Sequence, residues 1–316
     1  MFDNSSIDLK GAHQVLKHGE YLILKGNDFW VCKIDGTTVL RYRNMPYIDN
    51  KVAFLPQDKL LICGARKTTY RLLCLKTGQE IWSVLPLKKY WLGGSRFAVS
   101  YDSRYAYDEF SYKDSRYIAR IDLQSGEVRE TKLGPGYRAV DDIICSKDSD
   151  GLYLLRSQID EAGDRNIGRN QIQRLTFSSP CHYETVCQWE TAGHGDCVAH
   201  RFLGDCETVV STGLSVFNSK TGETYSLVEN EPGWTKPGLG PHKYWFDASN
   251  RYVCVAYDNV NVIIDWENRK MVARYAVNFG RGCLIGDTYW VPSGDKVEKK
   301  PFPLIEDIPK RKLSTF

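Results

Sequence analysis

The chain has 316 residues, 42 of them Lys or Arg and 39 Asp or Glu, which leaves a formal charge of +3 and excludes a polyelectrolyte-like polypeptide. Apolar residues make up 42% and aromatics 12%, enough for a sizeable core, so disorder as the main state is excluded too. The longest uninterrupted apolar runs, residues 60–65 and 252–257, fall far short of the roughly 20 residues of a spanning helix, so no membrane span is expected.

Met1, Phe2 and Asp3 open a segment with no basic start and no apolar core, so no secretory signal is expected. The ten cysteines then read as free thiols in a reducing cytoplasm. From there, short β-rich runs end in turn signals and restart. Residues 29–34 end in Asp35-Gly36, residues 69–75 in Lys76-Thr77-Gly78, and residues 117–123 in Gln124-Ser125-Gly126. Residues 214–217 end in Asn218-Ser219-Lys220-Thr221-Gly222, and residues 261–266 in Glu267-Asn268. Each reads as a hairpin: Asp-Gly suits a two-residue type I′ turn, and Ser-Gly or Thr-Gly suits a longer loop closing on a glycine with positive φ.

With Ser178-Ser179-Pro180 as the turn between the third and fourth of these, turns at 36, 78, 126, 179, 222 and 268 give steps of 42, 48, 53, 43 and 46 residues. A second series, polar turns preceding an apolar strand, lies at 58, 103, 150, 206 and 250, with steps of 45, 47, 56 and 44. Two series with one period predict a repeat. Four strands of about five residues and their turns fill about 40 to 50 residues, the length of a β-propeller blade.

The predicted fold is therefore an all-β propeller of seven blades, with six as the alternative. It is expected to close by pairing of N- and C-terminal strands, residues 283–291 joining a strand from the first twenty residues, because closure removes an exposed sheet edge. Strands packed on both faces read as nearly continuous apolar runs, as at residues 260–265, and no sustained helical stripe appears, so helices are expected to be scarce. The predicted domains are residues 1–292, one propeller, and residues 293–316, a Pro-rich, Lys-rich strap or tail. The polar stretch 157–170 is predicted as an exposed loop inserted in the fourth unit.

The segment Thr77-Gly78-Gln79-Glu80-Ile81-Trp82 resembles the Thr-Gly-x-x-x-Trp hairpin of quinoprotein-type propellers. The turns opening at Asp102 and Asp247, each closing on a tyrosine (Tyr105, Tyr252), are similar to those of WD-repeat and related propellers. The resemblance implies the propeller fold and points to no particular family.

Nucleotide-binding, metalloprotease and nucleophile-elbow motifs are absent from the sequence. The densest chemical cluster is Cys181, His182, Cys187, His194, Cys197, His200 and Cys206, which invites a zinc reading. With residues 197–202 as a strand, however, Cys197 and His200 have opposite parity and face different sides of the sheet. Apolar thiols and hydrogen-bonded histidines are the preferred reading, and neither metal nor cofactor is expected.

In a propeller the link from one blade's outer strand to the next blade's inner strand passes near the central channel. Here the links carry Tyr47, Tyr90, Trp91, Tyr137, Arg138, His194, Asp196, His200, His242, Tyr244, Trp245, Phe279 and Arg281. Tyr, Trp and Arg give large rigid contact area and charge-assisted hydrogen bonds. The predicted ligand-binding set is Trp91, Tyr137, Arg138, His194, Asp196, His200, His242, Tyr244, Trp245 and Arg281.

Two functions compete. The first is a non-catalytic recognition or scaffold propeller that takes a protein, peptide or glycan on this face. The second is a propeller-type lyase or hydrolase using His194, His200, His242 and Arg281, with Asp196 orienting an imidazole. The absence of a repeated acid, base or metal set favours the first. No nucleic-acid partner is expected, because the isoelectric point is near 8.2 and the basic residues are dispersed. A monomer is expected.

Overall fold

A computed structural model describes residues 14–26, 28–43, 51–64, 69–85, 91–92, 96–134, 139–147, 151–162, 165–178, 181–193, 200–211, 215–227, 243–246, 251–257, 260–276, 282–293 and 296–306. Every regular element among them is a β-strand.

Seven antiparallel sheets succeed one another along the chain. Blade 1 holds β1 (Gln14–His18), β2 (Tyr21–Lys25), β3 (Phe29–Lys33) and β4 (Thr38–Tyr42). Blade 2 holds β5 (Val52–Leu55), β6 (Lys59–Gly64), β7 (Thr69–Cys74) and β8 (Glu80–Val84). Blade 3 has five strands, β9 (Trp91–Leu92) and β10 (Ala98–Val99) both pairing β11 (Tyr105–Tyr112), then β12 (Ser115–Asp122) and β13 (Val128–Lys132). Blade 4 holds β14 (Ala139–Cys145), β15 (Gly151–Ala162), β16 (Arg165–Thr176) and β17 (His182–Gly193). Blade 5 holds β18 (His200–Phe202), β19 (Thr208–Ser211), β20 (Ser215–Asn218) and β21 (Thr224–Ser226). Blade 6 holds β22 (Lys243–Phe246), β23 (Tyr252–Tyr257), β24 (Val260–Asp265) and β25 (Lys270–Ala276). Blade 7 is three-stranded: β26 (Cys283–Ile285), β27 (Thr288–Ser293) and β28 (Lys296–Pro301). The fold is the seven-bladed β-propeller that the repeat predicts.

The repeat is written in the turns. Asp122 accepts hydrogen bonds from the N–H groups of Gln124 and Ser125 (both 2.9 Å), and Gly126, at φ +77°, returns its N–H to the Asp122 carbonyl. Asn218 receives Lys220 and Thr221 in the same way, ahead of Gly222 at φ +73°. The short polar side chain replaces a backbone acceptor and the glycine takes the left-handed residue at no steric cost, so this chemistry reverses the strand wherever it occurs.

The chain divides into two compact units, Val39–Tyr225, and Met1–Thr38 with Ser226–Phe316. In the first, alternate residues of one strand serve opposite neighbours. On β11, Ala106 and Phe110 pack with Leu61, Tyr70 and Leu72 of blade 2, while Tyr107 packs with Ile143, Leu152 and Leu154 of blade 4. On β15, Leu155 joins Phe202 and Val209 of blade 5. Burial on both faces is why these strands read as continuous apolar runs, each fully buried aliphatic side chain contributing about 1.5–3 kcal/mol. In the second unit, Cys254, Ile263 and Tyr275 of blade 6 pack on Tyr289 and Val291, and Trp290 and Val297 of blade 7 pack on Val15, Leu22 and Leu24 of blade 1.

One detail differs from the sequence reading. Residues 157–162 and 165–170 are not a loop: they continue β15 and β16 as paired strands, Ser157 opposite Asn170 and Gln158 opposite Arg169, with β17 alongside. Polar side chains at the end of this stretch find partners across the sheet, Asn170 donating to Thr191 (3.2 Å) and the adjoining Gln171 to Thr185 (2.8 Å). The two chain-end blades adjoin among the described residues. Strand β1 pairs with β2, the three described strands of blade 7 come from the C-terminal segment, and the two blades pack side chain on side chain. Residues 1–13, on which the rest of the expected strand exchange falls, lie outside the described residues.

Candidate functional site

In a four-stranded antiparallel meander the start of the first strand, the turn between the second and third, and the end of the fourth share one end of the sheet. The link residues therefore enter each blade at the end where its innermost strand begins. In the unit 39–225, that end is held by buried charge.

Lys51, one residue before β5, is fully buried. Its ammonium donates to a carboxylate oxygen of Asp108 and to the Glu109 carbonyl (3.3 Å), both on β11, while the Tyr70 hydroxyl donates to the other Asp108 oxygen (2.9 Å). Asp108 and Glu109 are adjacent and so face opposite sides of the sheet. On the far side, Glu109 accepts from Arg116 (2.6 Å), with one carboxylate oxygen buried and unpartnered, and burial pushes its carboxyl above the usual range. Burial likewise lowers Arg156 to about 10, although its guanidinium donates to Gln173 (2.8 Å) and to the carbonyl of Gly134, on the link leading to β14.

A second anchor stands on β14. The register slips between Val140 and Asp142, and this bulge sets the direction of Asp142, which is fully buried. Its carboxylate accepts both Nε (3.2 Å) and Nη2 (3.1 Å) of Arg96, from the link before β10, then Arg201 of β18 (3.3 Å) and the Phe202 N–H (3.0 Å). Arg201 also donates to the Asp141 carbonyl, and Arg96 to the Phe202 carbonyl (3.3 Å). One carboxylate thus ties the entry to blade 3 and the first strands of blades 4 and 5, with two guanidinium groups against one negative charge.

In the other unit the link before β26 ends at Gly282, whose N–H donates to the Tyr289 hydroxyl (3.2 Å), itself bonded by Asn261 (3.0 Å). A Cβ on Gly282 would lie 2.3 Å from the Trp290 carbonyl, so only glycine fits.

Of the predicted set, Trp91 opens β9 opposite Ser111, His200 opens β18 opposite Ser211, and Tyr244 and Trp245 lie on β22 opposite Val255 and Cys254. Tyr137, Arg138, His194, Asp196, His242 and Arg281 lie outside the described residues. Sequence reasoning missed Lys51, Arg96, Asp108, Glu109, Asp142 and Arg201. The available signal was an acidic residue within an apolar strand run, Asp108-Glu109 before Phe110 and Asp142 before Ile143-Ile144.

Members of the cysteine and histidine cluster diverge. Cys181 packs on the core between blades 3 and 4 and Cys187 on that between blades 4 and 5, while Cys206 points its thiol at the Cys145 carbonyl (3.8 Å). No group of three or more metal-ligating side chains comes together among the described residues. No helix among them is long and apolar enough to cross a membrane.

No family model matches this chain, and no curated protein matches it. Solved structures do. A chain of the hydrazine synthase of Kuenenia stuttgartiensis superposes with a TM-score of 0.67 at 13% identity, over 95% of this chain and 97% of that one. The β-propeller domain of Cps50 (Swd1) from Myceliophteria thermophila gives 0.60 at 11% identity, over 94% and 98%. The C-terminal WD40 domain of Sif2 gives 0.58 at 11% identity, over 95% and 97%. At these identities the likeness is one of fold: the chain is similar to WD40-type β-propellers along nearly its whole length.

Proposed function

We propose that the protein is a non-catalytic recognition propeller of the cytoplasm that receives a protein, peptide or glycan on the link end of its blades. The contact residues are Trp91, Tyr137, Arg138, His194, Asp196, His200, His242, Tyr244, Trp245 and Arg281. The observation that carries this reading is the Asp142 anchor. His200 is followed at once by Arg201 and Phe202, and both are bonded to Asp142, so the start of β18 is fixed to a fully buried carboxylate. The same carboxylate fixes Arg96, on the link from which β10 starts. Binding residues carried on links gain affinity and selectivity when the scaffold beneath them is rigid, because less order has to be imposed on contact. The WD40-type likeness fits a binding role and adds no partner to it.

Replacement of Trp91, Arg138 and Trp245 together by Ala tests the reading. Partners retained from native lysate by the unaltered chain are lost by the triple variant, and the melting temperature of the two proteins agrees within a few degrees. A large fall in melting temperature would return these side chains to the core, and unchanged capture would move the contact surface elsewhere.

A further inference from the structure

The outermost strand of blade 6 carries a passenger. After β28 ends at Pro301, the chain turns back and runs parallel to β25, Ile305 bridging Arg274. The Arg274 N–H donates to the Leu304 carbonyl (2.8 Å) and the Glu306 N–H to the Arg274 carbonyl (2.9 Å), the two bonds that define a parallel strand addition. Side chains alternate as a docked strand requires. Phe302 meets Tyr252 edge-on at 5.5 Å, Phe302 and Leu304 pack on the blade 6 core, and Ile305 turns outward, 54% exposed. The segment ends on a charge. Glu306 accepts from the Ala276 N–H (2.7 Å) and, through both oxygens, from Lys300 (3.0 Å), while Arg274 Nε holds the Glu306 carbonyl (3.1 Å).

We infer that the outer edge of β25 is a strand-accepting site for an extended peptide with an aromatic residue at its first position, an aliphatic at its third and a glutamate at its fifth, and that Phe302–Glu306 occupies it in cis. The edge supplies the backbone N–H and carbonyl of Arg274 and the N–H of Ala276, an aromatic and aliphatic footing at Tyr252 and the blade 6 core, and a cationic end at Lys300 and Arg274. This is recognition by strand addition, with main-chain bonds for affinity and alternate side chains for selectivity. The cis segment follows β28 directly, so its effective concentration is in the millimolar range or above, and it keeps the site shut until it is displaced. Glu306 is the latch. This inference concerns one edge within the unit containing blades 6 and 7, and stands whatever the link-end residues bind.

The full chain carrying Glu306→Lys tests it, because a lysine there faces Lys300. The backbone amide of Arg274 should exchange with solvent about tenfold faster than in the unaltered chain. A fluorescein-labelled peptide of residues 301–309 should bind the variant about tenfold more tightly than the unaltered chain, and the same peptide with its glutamate replaced by lysine should lose that gain. If Glu306→Lys does not fold, Glu306→Gln removes the charge and keeps the shape, and the same shifts apply with smaller size. An Arg274 amide equally protected in both chains overturns the latch. Equal peptide binding to both chains, or none by a variant whose Arg274 amide is released, overturns the accepting edge. A concentration-dependent dimer of the variant would assign the edge to a second copy of this chain and overturn the free-peptide assignment.

Discussion

The indole of Trp82, on the outer strand of blade 2, lies flat against Gly126 in the last turn of blade 3 and donates its N–H to the Leu123 carbonyl (3.2 Å). A Cβ on Gly126 would meet that ring at 3.1 Å, and the residue sits at φ +77°. Gly222 occupies the equivalent turn of blade 5 at φ +73° with open space around it. Gly222→Ala therefore carries the left-handed backbone cost alone, about 1–2 kcal/mol. Gly126→Ala adds displacement of an indole shared between two blades, and its total is expected at about 2–3 kcal/mol. Denaturation midpoints of the two variants separate the contributions, and equal losses would show that the Trp82 contact yields freely.

The Asp142 carboxylate of blade 4 accepts from two guanidinium groups and a backbone N–H, Arg96 of blade 3 and Arg201 and Phe202 of blade 5. Asp142→Ala takes from Arg201 and Arg96 the carboxylate they share, and because both guanidinium groups keep some access to water the cost is expected at about 2–3 kcal/mol, below that of breaking a fully buried pair. Arg201→Ala leaves Asp142 bonded to Arg96 and Phe202, so it is expected to cost less than half as much. A double-mutant cycle over Asp142 and Arg201 should show coupling above about 1 kcal/mol. Strictly additive losses would mean that the two do not act as a unit.

Glu109 gives a pH dependence of definite sign. Burial, the largest influence, raises its carboxyl above the ordinary value of 4.5 in spite of Lys51 and Arg116. A carboxyl whose folded pKa is raised favours the folded state most when protonated, and that advantage is lost as pH rises through the folded pKa. Glu109→Gln, which cannot ionise, should thus gain stability relative to the parent chain as pH goes from about 4 to 7. Asp122 behaves oppositely: N–H donation from Ser125 leads the influences that hold it below 3.8, so its contribution is present at neutral pH and fades in acid. Urea midpoints at several pH values measure both, and a Glu109→Gln advantage that shrinks with rising pH would show that the Arg116 pairing dominates.

Gly78, Gly126 and Gly222 made the period legible, because turn chemistry is local: it needs no knowledge of what the strands pack against. The same locality hid Asp108, Glu109 and Asp142. Within a strand a carboxylate reads as solvent-facing, and alternation cannot see the partner that receives it, Lys51 or Arg96 from a neighbouring blade for Asp108 and Asp142, and Arg116 of the adjacent strand for Glu109. Residues 157–170 were misleading for a related reason, since polarity marks a loop only when no second strand offers Thr191 and Thr185 as partners. For the candidate site, topology carried Trp91, His200, Tyr244 and Trp245 to the first strands of their blades, because the order of strands in a meander fixes where a link must enter. Which side chains converge there depends on contacts between blades, and a repeat in one sequence does not encode those.

Cys74 occupies in blade 2 the turn position that Asp122 holds in blade 3 and Asn218 in blade 5. The Gly78 N–H returns to the Cys74 carbonyl at 2.8 Å, as Gly126 returns to Asp122 and Gly222 to Asn218. The thiol has replaced an acceptor, and it inherits the donors. The Thr77 hydroxyl first, then the Thr77 and Lys76 N–H groups and the Lys76 ammonium, hold it below the ordinary cysteine value. Burial drives Cys145 and Cys283 up to about 12 and raises Cys32, Cys63 and Cys187. Because the thiolate is the reacting form, Cys74 should be alkylated by iodoacetamide at pH 7.5 ahead of those five, and Thr77→Val should slow it several-fold. Peptide mapping after timed quenching reads the order, and a Cys74 that reacts no faster than Cys187 would show that the turn withholds its donors from the sulfur. Cys74→Asp restores the side chain found in blade 3 and should raise the melting temperature, since a carboxylate accepts the same N–H groups more strongly than a thiol does.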